Sequence, residues 1–227
     1  MNMCGIFGTS DAERLETLYS LNQDRGAFSF GSTYIRHYVP YDKYPEISIH
    51  KSPGIGKIDK NYASTYNYLV GHTQAPTSSQ RDYDKNSTHP FIAGNYIVAH
   101  NGVLSNDREI ISKFDLSGVN EVDSSVIPAL IEHNGSNGES EMEAIVETLE
   151  ELAGTFACWI INKVTGNIYI ARVGSTLFLN AKTGEFSSKM QGGFRTVPEG
   201  ILFKRNHESE AFEPITPFNY NSPYLIL

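Results

Sequence analysis

The chain has 227 residues, 40% of them hydrophobic and 11% aromatic, enough to bury a sizeable core in one large domain. Its net charge of -8, with 18 basic residues that form no long run, argues against a nucleic-acid surface and for small-molecule or protein partners. Cys4 and Cys158 give neither a disulfide framework nor metal-ligand spacing, and no apolar run approaches the roughly 20 residues that span a membrane, so a cytoplasmic protein without a cofactor is expected.

The first element is the run Met3-Cys4-Gly5-Ile6-Phe7-Gly8, in which Ile6 and Phe7 begin a buried strand. Taken alone, Cys4 is a small buried residue opening that strand. If it becomes the first residue of the mature protein, it supplies two catalytic groups, because its thiol sits beside an α-amine whose ordinary pKa is roughly 8. An internal nucleophile usually needs a separate histidine base, and this arrangement replaces it. Initiation at Met3, or self-processing before Cys4, would expose the residue. Cys-Gly-Ile-Phe-Gly after a Met resembles the opening of the class II, N-terminal-nucleophile glutamine amidotransferases.

Further along, Ser10 and Glu13 read as a capping box for a helix over 11 to 23, with Leu15, Leu18 and Leu21 on one face. Residues 27 to 39 are rich in aromatic and β-branched side chains and read as strand, and 40 to 66 as irregular connections around a short strand at 47 to 50. A strand over 68 to 71 is expected to deliver His72-Thr73-Gln74-Ala75-Pro76-Thr77 into a polar loop, the kind of place where binding residues collect. The polar stretch from 78 to 88 contains Arg81, and a strand ending in His100-Asn101-Gly102 follows the His89-Pro90 turn. Asn106 opens a short helix, and Asp123 reads as the N-cap of another that Pro128 should perturb. Ser140 and Glu143 form a capping box before a helix that buries Ile145, Val146, Leu149 and Leu152. Strands over 155 to 161, 167 to 172 and 176 to 179 precede a Pro- and Asn-containing tail, and Cys158 falls inside a strand as inert core.

The family resemblance is carried by several of these segments in order. They are Arg25-Gly26, Gly71-His72-Thr73, His89-Pro90, His100-Asn101-Gly102, Asp123-Ser124, Gly154-Thr155-Phe156-Ala157 and Ala171-Arg172-Val173-Gly174-Ser175, over about residues 3 to 205. The resemblance implies an α+β fold, the four-layer αββα sandwich, as a single domain over 1 to 227 with a tail from 206. It also implies that Cys4 attacks the glutamine side-chain amide, with Arg25 near the nucleophile and the Asn101 side-chain NH2 and Gly102 N–H holding the oxyanion. Thr77 binds substrate and the Asp123 carboxylate takes the α-ammonium. Gln74 stands where the family has an Arg gripping the α-carboxylate. A guanidinium makes two parallel charged hydrogen bonds to a carboxylate, whereas a neutral amide offers one NH2 and no charge, and losing a charged hydrogen bond costs about 1.5 to 3 kcal/mol. Arg81, seven residues beyond Gln74, is the candidate substitute cation, with Arg25 the second choice. From the residues alone, Arg25 reads equally as a surface ion pair and Arg81 as a solvated charge beside Asp82 or Asp84.

Family members commonly continue into a synthase or transferase domain that consumes the ammonia. Because this chain stops, the expected function is a glutaminase-type module that feeds a separate partner. The alternatives are an N-terminal-cysteine amidase with another amide substrate, favoured by Gln74, and a catalytically impaired binding module of the same fold.

Overall fold

The structure, a computed structural model, describes residues 4–38, 44–75 and 84–223. The chain runs through β1 (Gly5–Thr9), α1 (Ala12–Gln23), β2 (Ser29–Arg36), β3 (Glu46–Pro53), the one-turn α2 (Lys60–Ala63) and β4 (Tyr68–Gln74). It continues through β5 (Phe91–Ala93), β6 (Tyr96–Leu104), α3 (Asp107–Lys113), a 3-10 turn (Asp123–Ser125), α4 (Val126–Ser136) and α5 (Glu141–Glu151). The last part is strand: β7 (Gly154–Asn162), β8 (Ile168–Val173), β9 (Phe178–Asn180), β10 (Glu185–Ser187), β11 (Arg195–Thr196), β12 (Ile201–Arg205) and β13 (Phe212–Pro217).

Side chains alternate across a strand, so a run of apolar residues buried on both faces calls for cover on both sides. β1 and β6 are such strands. Ile6 on β1 packs between the sheets with Val70, Ile97, Ala99, Trp159 and Ile170, while its neighbour Phe7 packs outward with Leu15 and Leu18 of α1. On β6, Val98 packs outward with Leu130 of α4 and Ile145 of α5, and Ile97 and Ala99 pack inward. The result is a four-layer αββα sandwich. Its strand orders are β11-β9-β10-β1-β4-β2-β3 and β13-β12-β8-β7-β6-β5. Every strand pair within the sheets is antiparallel. Trp159, fully buried, joins the layers by donating its indole N–H to the Gly71 carbonyl at 3.2 Å. The same parity puts Cys4 with Ile6, Gln74 with Val70 and Asn101 with Ala99, all on the inter-sheet face.

Several local expectations are corrected. The cap of α1 is Asp11 rather than Ser10, with its carboxylate accepting from the Glu13 and Arg14 amides. His72, Thr73 and Gln74 belong to β4 and not to a loop, because β1 and β2 pair on either side as far as Gly5↔Thr73 and Ser29↔Gln74. Nor does β6 end at Gly102, since Asn101 and Gly102 pair with Ala157 and Phe156 and the ladder runs on to Leu104. Pro128 sits in the first turn of α4, where amides have no intrahelical partner, and the helix continues unbroken. Part of the expected tail is β13, which pairs with β12. The β3 strand spans Glu46–Pro53, longer than the segment expected there, and forms the sheet edge against β2.

Candidate active site

Cys4 lies immediately before β1, 8% exposed, with Sγ 3.9 Å from the Ala75 carbonyl. Continuing the ladder one residue past Gly5↔Thr73 sets Cys4 opposite Gln74. Burial pushes the thiol up to about 11, and the Asp123 carboxylate adds to the rise, while the bond to Ala75 and the Arg25 charge work against it. Within an uninterrupted chain the thiol is therefore held protonated at neutral pH. A free amine on Cys4 would be the nearest possible base.

Arg25 reaches this strand from the end of α1. Its Nε donates to the Cys4 carbonyl at 2.7 Å and its Nη1 to the Ser188 carbonyl at 3.5 Å, and Nη2 is buried without a hydrogen-bond partner among the described residues. Burial lowers the pKa of the guanidinium, and its attraction to Cys4 opposes that. The following glycine has a steric reason, since a Cβ on Gly26 would lie 2.4 Å from the Ala75 nitrogen and 2.6 Å from the Gln74 oxygen. Arg25 can reach Cys4 only because the chain passes this close to the end of β4.

Asn101 lies on the second sheet, on the inter-sheet face, and bonds to Ser188, which also holds the strand that follows Cys4. It is fully buried, its Nδ2 donates to Ser188 Oγ at 3.2 Å, and its Oδ1 has no partner among the described residues. Gly102 has φ 150°, and a Cβ there would stand 1.9 Å from the Thr155 oxygen, so the position excludes any side chain. Behind them His100 has Nε2 3.2 Å from the Thr155 oxygen and Nδ1 2.8 Å from Ser124 Oγ. Burial lowers the His100 pKa, and a neutral ring donating through Nε2 accepts the Ser124 hydroxyl at Nδ1. Asp123 is not a helix cap. Its Oδ2 accepts the Leu104 amide at 2.9 Å and its Oδ1 the Ser124 amide at 2.8 Å, which anchors the carboxylate to the end of β6. Oδ2 keeps a lone pair for a ligand.

Gln74 is 2% exposed, and its Oε1 accepts the Ser29 hydroxyl at 2.7 Å, which leaves the NH2 end as a donor. Thr77 and Arg81 lie outside the described residues. His72 and His89 stack at 3.8 Å beside this layer, both buried, and His72 Nε2 lies 3.1 Å from the His100 oxygen. Among the described residues no group of three His, Cys, Asp or Glu side chains could hold a metal ion. Sequence reasoning missed Ser29 and Ser188. Neither stands in a recognisable motif, and each hydroxyl meets its partner only because the fold brings distant segments together.

Two facing sheets between helical layers, with a cysteine heading a central strand and its thiol turned into the gap, define the N-terminal-nucleophile hydrolase class. Solved structures share the fold. The allosteric regulatory enzyme of purine biosynthesis aligns at TM-score 0.73 and 20% identity over 96% of this chain and 50% of that one. The glutamine phosphoribosylpyrophosphate amidotransferase from B. subtilis aligns at TM-score 0.72 over the same shares. Residues 77–192 match the model of the glutamine amidotransferase domain, and the chain belongs to that family, in its class II. It is 27% identical over 176 residues to the 7-cyano-7-deazaguanine synthase of Saccharolobus solfataricus, covering 73% of this chain and 36% of that protein. It is also 27% identical over 164 residues to the glutamine–fructose-6-phosphate aminotransferase of Halobacterium salinarum, covering 70% of this chain and 27% of that protein. The chain thus spans about a third of the length of these curated relatives. No helix among the described residues is long and apolar enough to cross a membrane.

Proposed function

We propose that this domain hydrolyses the side-chain amide of glutamine through Cys4, once Cys4 carries the free N-terminus, and supplies the ammonia to an accepting synthase or transferase partner. The observation that carries this reading is the convergence of Cys4, Arg25 and Asn101 from three separate elements on one buried point between the sheets. In the proposed reaction Sγ bonds to the amide carbon while the α-amine of Cys4 takes the thiol proton and passes it to the departing nitrogen. The Asn101 NH2 and the Gly102 N–H face the developing oxyanion, and water then cleaves the thioester to give glutamate. Asp123 receives the substrate ammonium, and Thr77 with Gln74 and a cation, Arg81 or Arg25, receives its other end. The test is intact-mass determination of the N-terminus beside ammonia release from glutamine, with and without a thiol-reactive glutamine analogue. Full activity in a preparation that is wholly Met1-terminated sinks the proposal, as does a Cys4-terminated preparation that neither releases ammonia nor takes the label.

The bond between Gln74 and Ser29 favours a second reading, an N-terminal-cysteine amidase. A neutral, pinned amide suits a substrate end without a carboxylate better than glutamine itself. Faster turnover of another primary amide than of glutamine would decide for it.

A further inference from the structure

The residue that brings the site together is Ser188, one position beyond β10 and 1% exposed. Its backbone N–H donates to the Ile6 carbonyl at 2.8 Å, and its Oγ accepts the Ile6 N–H at 3.0 Å, so Ser188 closes a complete clamp on the strand that carries Cys4. The same Oγ accepts Asn101 Nδ2 at 3.2 Å, across the gap between the sheets. Its carbonyl accepts Arg25 Nη1 at 3.5 Å, and Arg25 in turn holds the Cys4 carbonyl. Ser188 is therefore bonded to the nucleophile's strand, to Asn101 on the second sheet and to the cation beside Cys4.

We infer that Ser188 is a positioning residue for the acyl-transfer step, holding the Asn101 amide at a fixed angle to Cys4. This inference rests on the oxyanion role proposed for Asn101. Among the described residues Asn101 has no other side-chain hydrogen bond, and its Oδ1 is buried and unpartnered. Among these residues the Ser188 hydroxyl is thus the polar contact that sets the rotation of the amide. A primary amide nitrogen carries two hydrogens. With one on Ser188, the other remains for the substrate oxygen, and the direction of the donor is set before substrate arrives, the condition under which an oxyanion contact accelerates a reaction. Without the hydroxyl, the amide can turn by half a rotation and present Oδ1, which repels the developing negative charge. Such a defect appears in the transition state and hardly at all in the bound ground state.

The test is a double-mutant cycle on glutamine hydrolysis by the Cys4-terminated protein, with folding of each variant checked by its thermal midpoint. Ser188→Ala should lower kcat roughly ten- to a hundredfold with KM nearly unchanged, and Ser188→Thr, which keeps the hydroxyl, should recover most of that loss. In an Asn101→Ala background Ser188→Ala should add little further loss, because its effect passes through the amide. Additive losses, or an unchanged kcat in Ser188→Ala, would overturn the role given to Ser188. If Ser188→Thr does not fold, Ser188→Cys serves, since its weaker acceptor should behave like Ala, and a wild-type kcat there would equally overturn the inference. An unchanged kcat in Asn101→Ala would instead overturn the oxyanion reading itself, so the two failures are distinguishable.

Discussion

Replacing Gln74 by arginine separates the two functional readings most directly. In the ligand-free protein the change should destabilise. It removes the 2.7 Å bond from Ser29, worth about 0.5 to 1.5 kcal/mol for a neutral pair, and sets a guanidinium at a position 2% exposed. An unpaired buried charge adds several kcal/mol more, reduced by whatever water reaches it. If the pocket receives the α-carboxylate of glutamine, the substrate supplies the missing anion, and a charged hydrogen bond then contributes about 1.5 to 3 kcal/mol. KM for glutamine should fall roughly ten- to a hundredfold. At a fixed glutamine concentration well above the dissociation constant, a hundredfold tighter site is stabilised by about 2.7 kcal/mol more than wild type. Ammonia release against glutamine concentration, with urea unfolding in the presence and absence of glutamine, reads both effects. A folded variant whose KM is unchanged or higher, and which glutamine stabilises no more than it does wild type, refutes the reasoning and points to a different amide.

The Cys4 thiol, held near 11 by burial, should be alkylated slowly at neutral pH in protein whose Cys4 is still preceded by other residues, at a rate climbing about tenfold per pH unit. Fast, pH-independent labelling of that form would contradict its burial. In the Cys4-terminated protein, activity should rise with pH through roughly 8 as the amine deprotonates, and Cys4→Ala should abolish it; a flat profile would exclude the amine as base. Burial lowers the pKa of His72 to about 3 and also depresses His89 and His100. Because the unfolded chain then binds protons that the folded one does not, the contribution of these rings is fully present above about 6.5. It is lost as pH falls toward 3, at up to about 1.4 kcal/mol per pH unit for each ring. A urea midpoint that stays constant from neutral pH down to the mildly acidic range would show that the rings are not neutral in the fold. Trp159→Ala should cost about 3 to 5 kcal/mol, since it empties the middle of the inter-sheet layer and removes the bond to Gly71; a loss below about 1 kcal/mol would mean the layers close over the gap.

The parts of this protein legible in its sequence are those governed by chemistry within a few residues. The α5 capping box from Ser140 to Glu143 forms as the spacing predicts, because its two reciprocal bonds span only three residues. The glycine after Arg25 and the glycine after Asn101 could be singled out as special, though the atoms that exclude a side chain there, at Ala75 and Thr155, come from other strands. Cys4, Arg25, Asn101 and Asp123 could be named from motifs whose order survives in the chain.

What only the tertiary structure decided is how far each strand extends and which side chains hold the named ones in place. The sequence reading ends β4 at Gly71, where polar residues follow, and β6 at Gly102, where His100-Asn101-Gly102 reads as a strand end. The ladders nevertheless run on to Gln74 and Leu104, since β1 and β2 on either side of β4, and β7 beside β6, satisfy their backbone groups whatever the side chains. Gln74 thereby becomes a buried strand residue fixed by Ser29. Ser188 is invisible to local reasoning for the same cause. Its partners Ile6, Asn101 and Arg25 lie 182, 87 and 163 residues away in the chain, and a hydroxyl acquires such a role only when two sheets have packed face to face.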